Sequence, residues 1–296
     1  MTSLNGEAKA KTFLITGATG KQGGAVIDAL QAASQDTPIL ALTRKAQSQP
    51  ANALILKAPD RIKLLKGDLK DCMAIFAKAA CTIHGVFCVS IPDIGFRADS
   101  QGQENRGKAL VDAAIANNAE HFVYTSVDRH GSDSDLNVTD VPHFISKADI
   151  EKHLIGKSKV TLCGKDLPNS LESGSFSNEK LQLESIRDIG HFGAQALLHP
   201  EKFAGRSISL AGDALTFEEA NAAFVKIVGR EIPQTYSFIG WLLLWAIKDV
   251  NLMFRFFEDV GYNADIGALR QEHHSLLSLE DCLQTSPFIS KTEFVC

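Results

Sequence analysis

Two short stretches of this 296-residue chain combine residue types at spacings suited to chemistry. The first is "ITGATGKQGGAV", with Gly17, Gly20 and Gly23 at three-residue intervals and Thr19, Lys21 and Gln22 among them. Glycine at the first position permits a tight turn. At the second it lets a diphosphate approach the backbone, and at the third it lets helix and strand pack closely. A helix starting there offers free N–H groups and the positive end of its dipole to phosphates. A glycine-rich turn with no ligand is the plainer alternative. The second stretch is "PHFISK", in which His143 stands four residues before Lys147, with Ser126 upstream in "HFVYTSV". An imidazole titrates near neutrality and could donate a proton. His143 could equally be a loop residue bonded to backbone, and Ser126 simply a hydroxyl that finishes a strand.

The residues between these stretches bear on which nucleotide would sit over the glycines. At the end of a second strand an acid would hold a ribose hydroxyl, whereas arginine accepts a 2′-phosphate. This chain reads "ALTRKAQSQ" there, with Arg44 and Lys45 and no acid. A planar guanidinium makes charge-assisted bonds to a phosphate dianion, so NADP(H) is favoured over NAD(H). A solvated basic loop is the alternative. Farther on, "KGDLKD" puts Asp68, followed by Leu69, after a third strand. A carboxylate in that place commonly accepts an adenine amino group, and it also suits the N-cap of the helix that follows.

These residues need a scaffold, and the first half of the chain supplies one. "KTFLITG", "PILALTR", "RIKLLKGD", "IHGVFCVS" and "EHFVYTSV" are short apolar runs that alternate with helical patterns such as "GGAVIDALQAAS" and "GQENRGKALVDAAIANNA". Near-continuous apolar strands separated by helices describe a parallel sheet covered on both faces. The expected fold class is α/β, a doubly wound parallel sheet with a smaller, mainly helical C-terminal region. In the second half "RSISLAG" reads as a strand between the helices "RDIGHFGAQALLHP" and "TFEEANAAFVKIVG". Thr216 with Glu219 three residues later forms a capping box that secures the start of the second of these. The expected division is a flexible tail over 1–11, a nucleotide-binding domain over 12–215 with a polar loop at 164–180, and a smaller region over 216–296 that completes a cleft.

Composition narrows the classes of function. The chain is 45% hydrophobic and 22% charged, with a net charge of −5. That is ordinary for a globular protein and gives no electrostatic reason for direct nucleic-acid or acidic-lipid binding. Six cysteines are scattered, with no C-x-x-C pair and no zinc spacing, so no metal site is expected. They suit a reducing compartment, most of them as small buried hydrophobes. The polar start "MTSLNGEAKAK" lacks a signal core, and "FIGWLLLWAI" (238–247) is shorter than the ~20 residues a membrane span takes. The expectation is a cytoplasmic protein with no membrane partner.

In order along the chain, "TGATGKQGG", "LTRK", "KGDLKD", "GKALVDAA", "HFVYTSVDRHG", "HFISKADIEKHL", "IRDIG", "SISLAGDALT" and "MFRFFEDVGYNADI" resemble the NmrA-like family, an atypical branch of the short-chain dehydrogenase/reductase superfamily, in a fungal-type form. The resemblance spans about residues 12 to 270. It implies a Rossmann fold with NADP bound by Gly17, Thr19, Gly20, Lys21, Gln22, Gly23, Arg44 and Lys45. Asp68 and Leu69 would border the adenine and Ser90 would lie beside the cofactor. Lys147 would match the superfamily lysine that holds the nicotinamide ribose, and Ser126 the superfamily serine. That superfamily commonly places a tyrosine where this chain has His143, and the family often lacks it. The chain departs from the family after "KADIEKHLIG": "KVTLC" suits a strand, but the usual Arg-Pro continuation is missing, so one wall of a substrate pocket is undefined.

Two functions follow from the resemblance. One is an NADP(H)-dependent oxidoreductase, or a redox-neutral isomerase using transient hydride transfer, acting on a bulky apolar specialised metabolite. Trp241, Trp245, Phe254, Phe256 and Phe257 would stand near its cleft, or simply pack the smaller region's core. The other is a non-catalytic sensor of the NADP(H) redox state that regulates a protein partner such as a transcription factor.

Overall fold

The computed structural model describes residues 10–90, 99–157, 165–166, 180–233 and 247–286. The expected strand over 159–163, most of the polar loop at 164–180, Trp241 and Trp245 lie outside those residues.

Six strands form one parallel sheet: β1 (Phe13–Ile15), β2 (Ile39–Thr43), β3 (Ile62–Lys66), β4 (Gly85–Val89), β5 (His121–Val127) and β6 (Lys165–Asp166). Their order is β3-β2-β1-β4-β5-β6, so the winding reverses between β1 and β4. β1, β2 and β4 are buried along their whole length, as a sheet covered on both faces requires. Alternate residues feed opposite cores. Phe13, Ile15, Ala41 and Phe87 pack under α1 (Lys21–Ala33), with Ile189 and Leu197 of a later helix. Leu14, Leu40, Val86 and Cys88 face α3 (Cys72–Ala79) and α4 (Ser100–Ala116), together with Ile150 and Leu154. α2 (Gln49–Lys57) links β2 to β3, and α5 (Pro142–Lys157) follows β5. His143 therefore sits in the first turn of a helix, not in a loop as one of the two expectations had it.

Beyond the sheet, β7 (Leu181–Leu183) leads to α6 (Ile186–Leu198) and α7 (Pro200–Phe203). The strand expected at "RSISLAG" is displaced. Ile208 and Leu210 are buried as an extended segment would bury them, but the ladder forms at β8 (Asp213–Leu215), antiparallel to β7. The capping box of Thr216 and Glu219 starts α8 (Phe217–Val228), which ends on Gly229 at φ +77°. Then come α9 (Lys248–Asp259), α10 (Ile266–Glu272) and α11 (Leu279–Gln284). Ala264, Leu269 and Leu276 belong to the same core as Phe13 and Phe87, and this C-terminal part is bonded to α6, where Asp188 accepts from the Leu277 N–H at 3.0 Å. Of the cysteines among the described residues, Cys72 and Cys88 are buried, Cys282 is half-buried and Cys81 is exposed. No described helix is long and apolar enough to cross a membrane.

Candidate functional site

The glycine turn lies at the reversal of the sheet, where doubly wound folds bind ligands. Buried Thr16 pins the ends of β1 and β4 together by accepting the N–H of Val89 at 2.8 Å. Gly17 then turns with φ +57°, a left-handed conformation that glycine adopts without strain, and a Cβ there would meet Val89 at 2.4 Å. A Cβ on Gly23 would lie 2.4 Å from the Gly17 carbonyl oxygen, so the helix can approach the turn this closely only with glycine. Thr19, Gly20 and Lys21 are exposed, while Gln22 is half-buried and accepts from Thr125 Oγ1 at 3.4 Å. The N-cap of α1 is Gly20, which supplies no side-chain oxygen. Ser48, Asp71, Asp99 and Ser185 by contrast each cap a helix of their own. The first turn of α1 thus has no side chain competing for its N–H groups.

At the ends of β2 and β3, Arg44 and Lys45 are exposed and line a cleft of about 480 Å³ with Ala46, Gln47, Ser48 and Lys66. Among the described residues, three cations and no acid border it. Lys66 was not singled out in the sequence, although its place as the last residue of β3, level with Thr43, was there to read. Asp68 is exposed and accepts from the Lys70 N–H at 3.0 Å. It is not the cap of α3: Asp71 is, accepting from the Ala74 N–H at 3.1 Å, because the helix begins at Cys72 and the cap is the residue directly before it. Leu69 packs half-buried against the α3–α4 core.

The other end of the site is buried. Lys147, 6% exposed on α5, donates to the Ser126 carbonyl at 3.4 Å. His143 lies one turn earlier on the same helix. Burial, and then the neighbouring Lys147 charge, pull its pKa down to about 4, so it is neutral near pH 7. His143 Nδ1 and Ser126 Oγ are both buried without a hydrogen-bond partner among the described residues. Buried polar atoms in folded proteins are seldom left so. Ser90 just after β4 is buried too, with its Oγ 3.1 Å from the Tyr124 hydroxyl. Gln103 donates to the Ser90 carbonyl at 3.2 Å and accepts from Ser146 Oγ at 2.8 Å.

The loop after β5 is a strut that sequence reading missed. Arg129 pairs with Glu151 of α5 at 2.9 Å, the two side chains only 3% and 4% exposed. Asp128 accepts from the Gly131 N–H, from Ser134 Oγ and, across the chain, from the Asn263 N–H at 3.1 Å. "VDRHG" showed acid and base adjacent after a strand, but not their partners. Near this loop, a polar groove of about 840 Å³ runs past Gly131, Ser134, Arg206, Asn263 and Glu272, where Arg206 and Glu272 already pair at 2.8 Å. Of the aromatic residues, Phe256 is buried edge-on against Phe144 at 5.2 Å, and Phe254 and Phe257 pack half-buried beside it. They form a core between α5 and α9.

A doubly wound parallel sheet with a glycine turn and an uncapped helix start at its reversal is a Rossmann-class fold. Within that class the chain belongs to the NmrA-like family, whose model matches residues 9–163 and 166–283. Its fold is similar to that of NmrA, "a negative transcriptional regulator, in complex with NADP", at 18% identity and a TM-score of 0.69, covering 97% of this chain and 98% of that one. It is also similar to a Citrobacter sp. triphenylmethane reductase complexed with NADP(H), at 16% identity and a TM-score of 0.67, over 95% and 99% of the two chains. A third likeness is to an NADPH-dependent quinone oxidoreductase from Escherichia coli, at 20% identity and a TM-score of 0.69, over 92% and 98%. At these identities the likeness is one of fold.

Proposed function

We propose that this chain binds NADP(H) and acts as an NADP(H)-dependent oxidoreductase, or a redox-neutral isomerase, on a bulky apolar metabolite. The observation that carries the cofactor assignment is the cleft of Arg44, Lys45 and Lys66, in which no acid is among the described lining residues and which lies at the carboxyl ends of β2 and β3, as the glycine turn lies at that of β1. Its charge suits the 2′-phosphate of NADP(H). The diphosphate would lie over Gly17, Gly20 and Gly23 at the start of α1, and Asp68 would border the adenine. The unpartnered atoms Ser126 Oγ and His143 Nδ1, on the two elements that Lys147 joins, suit the ribose hydroxyls and the carboxamide of a nicotinamide riboside. When bound, the cofactor supplies or accepts a hydride. The chain's own residues would hold it: Lys147 as a buried cation beside the ribose, Ser126 as a hydroxyl facing the same space. Similar folds solved with NADP, NADP(H) and NADPH support the same cofactor.

One observation favours a second reading, a sensor of NADP(H) redox state that acts on a protein partner. His143 is neutral at pH 7, with its pKa near 4, so little imidazolium is available to donate a proton. An enzyme of this kind would take its proton from another source, such as Lys147, water or the substrate. The two readings separate by following the reduced-nicotinamide absorbance and product masses while NADPH and metabolite extracts are mixed with the protein. Turnover supports the enzyme; tight NADPH binding without consumption in any extract supports the sensor.

A further inference from the structure

We infer that Gln103 is a positioning residue that sets Lys147 against the nicotinamide half of the cofactor; this rests on the NADP(H) reading above. Gln103 lies in the first turn of α4 and is fully buried. Its amide can be oriented in one way only. The Ser90 carbonyl accepts but cannot donate, so Nε2 must face it, at 3.2 Å, and also reaches Ser90 Oγ at 3.1 Å. Oε1 is thereby turned to Ser146, whose hydroxyl must donate, at 2.8 Å. Ser146 directly precedes Lys147 on α5. One side chain thus ties the end of β4, where the sheet reverses, to the helix turn that carries the buried cation.

α5 is also held by the Arg129–Glu151 pair, one turn beyond Lys147, by Lys147 itself through the Ser126 carbonyl, and by the exposed contact of His153 with Asp112 of α4 at 2.9 Å, nearly two turns beyond Lys147. None of these ties Ser146 to the end of β4. Without the Gln103 bridge, α5 keeps its core contacts through Ile150 and Leu154, but Ser146 and Lys147 are free to shift by a fraction of an ångström. A displacement on that scale weakens a hydrogen bond to the ribose and does nothing to the distant Arg44 cleft. The alternative is that Gln103 merely fills a polar gap in the core. It would then affect folding, and both halves of the cofactor equally.

The test compares two ligands by titration calorimetry: NADP⁺, and 2′,5′-ADP, which carries the 2′-phosphate but no nicotinamide half. The readout is the ratio of the two affinities. Gln103→Leu is expected to lower that ratio about fivefold, the scale of one neutral hydrogen bond, with 2′,5′-ADP binding unchanged within about twofold. Lys147→Ala should lower it at least as much, and the double variant no further than Lys147→Ala alone, since the two act through one group. Equal weakening of both ligands, an unchanged ratio, or additive losses in the double variant would overturn the role of Gln103. Should Gln103→Leu fail to fold, Ser146→Ala removes the other end of the bridge and must lower the ratio as well; an unchanged ratio there also overturns it. A wild-type protein that binds neither ligand would instead overturn the NADP(H) reading itself, and the role of Gln103 with it.

Discussion

The two ends of the proposed cofactor site are built on opposite plans. At the adenosine end Arg44, Lys45 and Lys66 stand exposed around an open cleft, and Thr19, Gly20 and Lys21 are exposed at the start of α1. At the nicotinamide end Ser90, Gln103, Ser126, His143, Ser146 and Lys147 are all buried, and most are hydrogen-bonded to one another or to backbone. Exposed cations attract a phosphate at little cost to folding, but salt screens them. Buried polar groups must satisfy one another, so they fix geometry and contribute to stability at once. Substitutions at the first end should therefore change affinity alone. At the second they should change stability, whether or not the ligand follows.

The largest effect is expected at the buried strut. Glu151→Ala leaves buried Arg129 with only the exposed carboxylate of Asp135, 3.6 Å away, and should cost about 3 kcal/mol of stability by urea unfolding. A loss under about 1 kcal/mol would mean that the pair is solvated. Next is the exposed turn. Gly20→Val puts a branched side chain where the diphosphate must approach, and its Cβ already lies 3.2 Å from the Gly17 carbonyl oxygen. NADP⁺ should no longer raise the melting temperature, while the apo protein melts within a few degrees of wild type. If the cofactor still stabilises this variant fully, the turn is not a phosphate cradle.

His143 tests the buried end by pH. Its folded pKa, near 4, lies below the ordinary value of 6.5, so between these pH values the unfolded chain takes a proton that the folded one refuses. Stability linked to His143 is complete above about pH 6.5 and falls as the pH drops toward 4, by at most about 3 kcal/mol. His143→Asn should lack this part of the acid slope and keep its NADP(H) affinity at pH 7. A variant with the same slope as wild type would place His143 in water. The smallest effect belongs to the exposed cleft. Arg44→Ala should weaken NADP(H) about tenfold, leave NAD(H) nearly unchanged and leave the melting temperature of the apo protein as it is.

What could be read from sequence follows the same division. The places of the glycine turn between β1 and α1, of Arg44 after β2 and of Lys147 on the helix after β5 were legible because each is defined by its neighbours in the chain and by the end of a strand. Thr216 and Glu219 were legible for the same reason, since a capping box lies within four residues. Gln103 was not, because its partners Ser90 and Ser146 are 13 and 43 residues away and only the fold brings them together. The Arg129–Glu151 pair and the Asp128–Asn263 bond are hidden in the same way. The strand expected at "RSISLAG" shows a subtler limit: alternating burial marks extended backbone, but only a partner strand makes a ladder, and β7 pairs with the residues directly after this stretch, Asp213–Leu215. Asp68 and Asp71 were both in view in "KGDLKD". Which one caps α3 depends on where the first helical turn begins.

Titration of the wild-type protein with NADP⁺ and NAD⁺ in parallel, at low and then at high salt, tests the cofactor assignment most directly. NADP⁺ is expected to bind at least about tenfold tighter at low salt, with the preference shrinking as salt screens Arg44, Lys45 and Lys66. Equal affinities at low salt would contradict it.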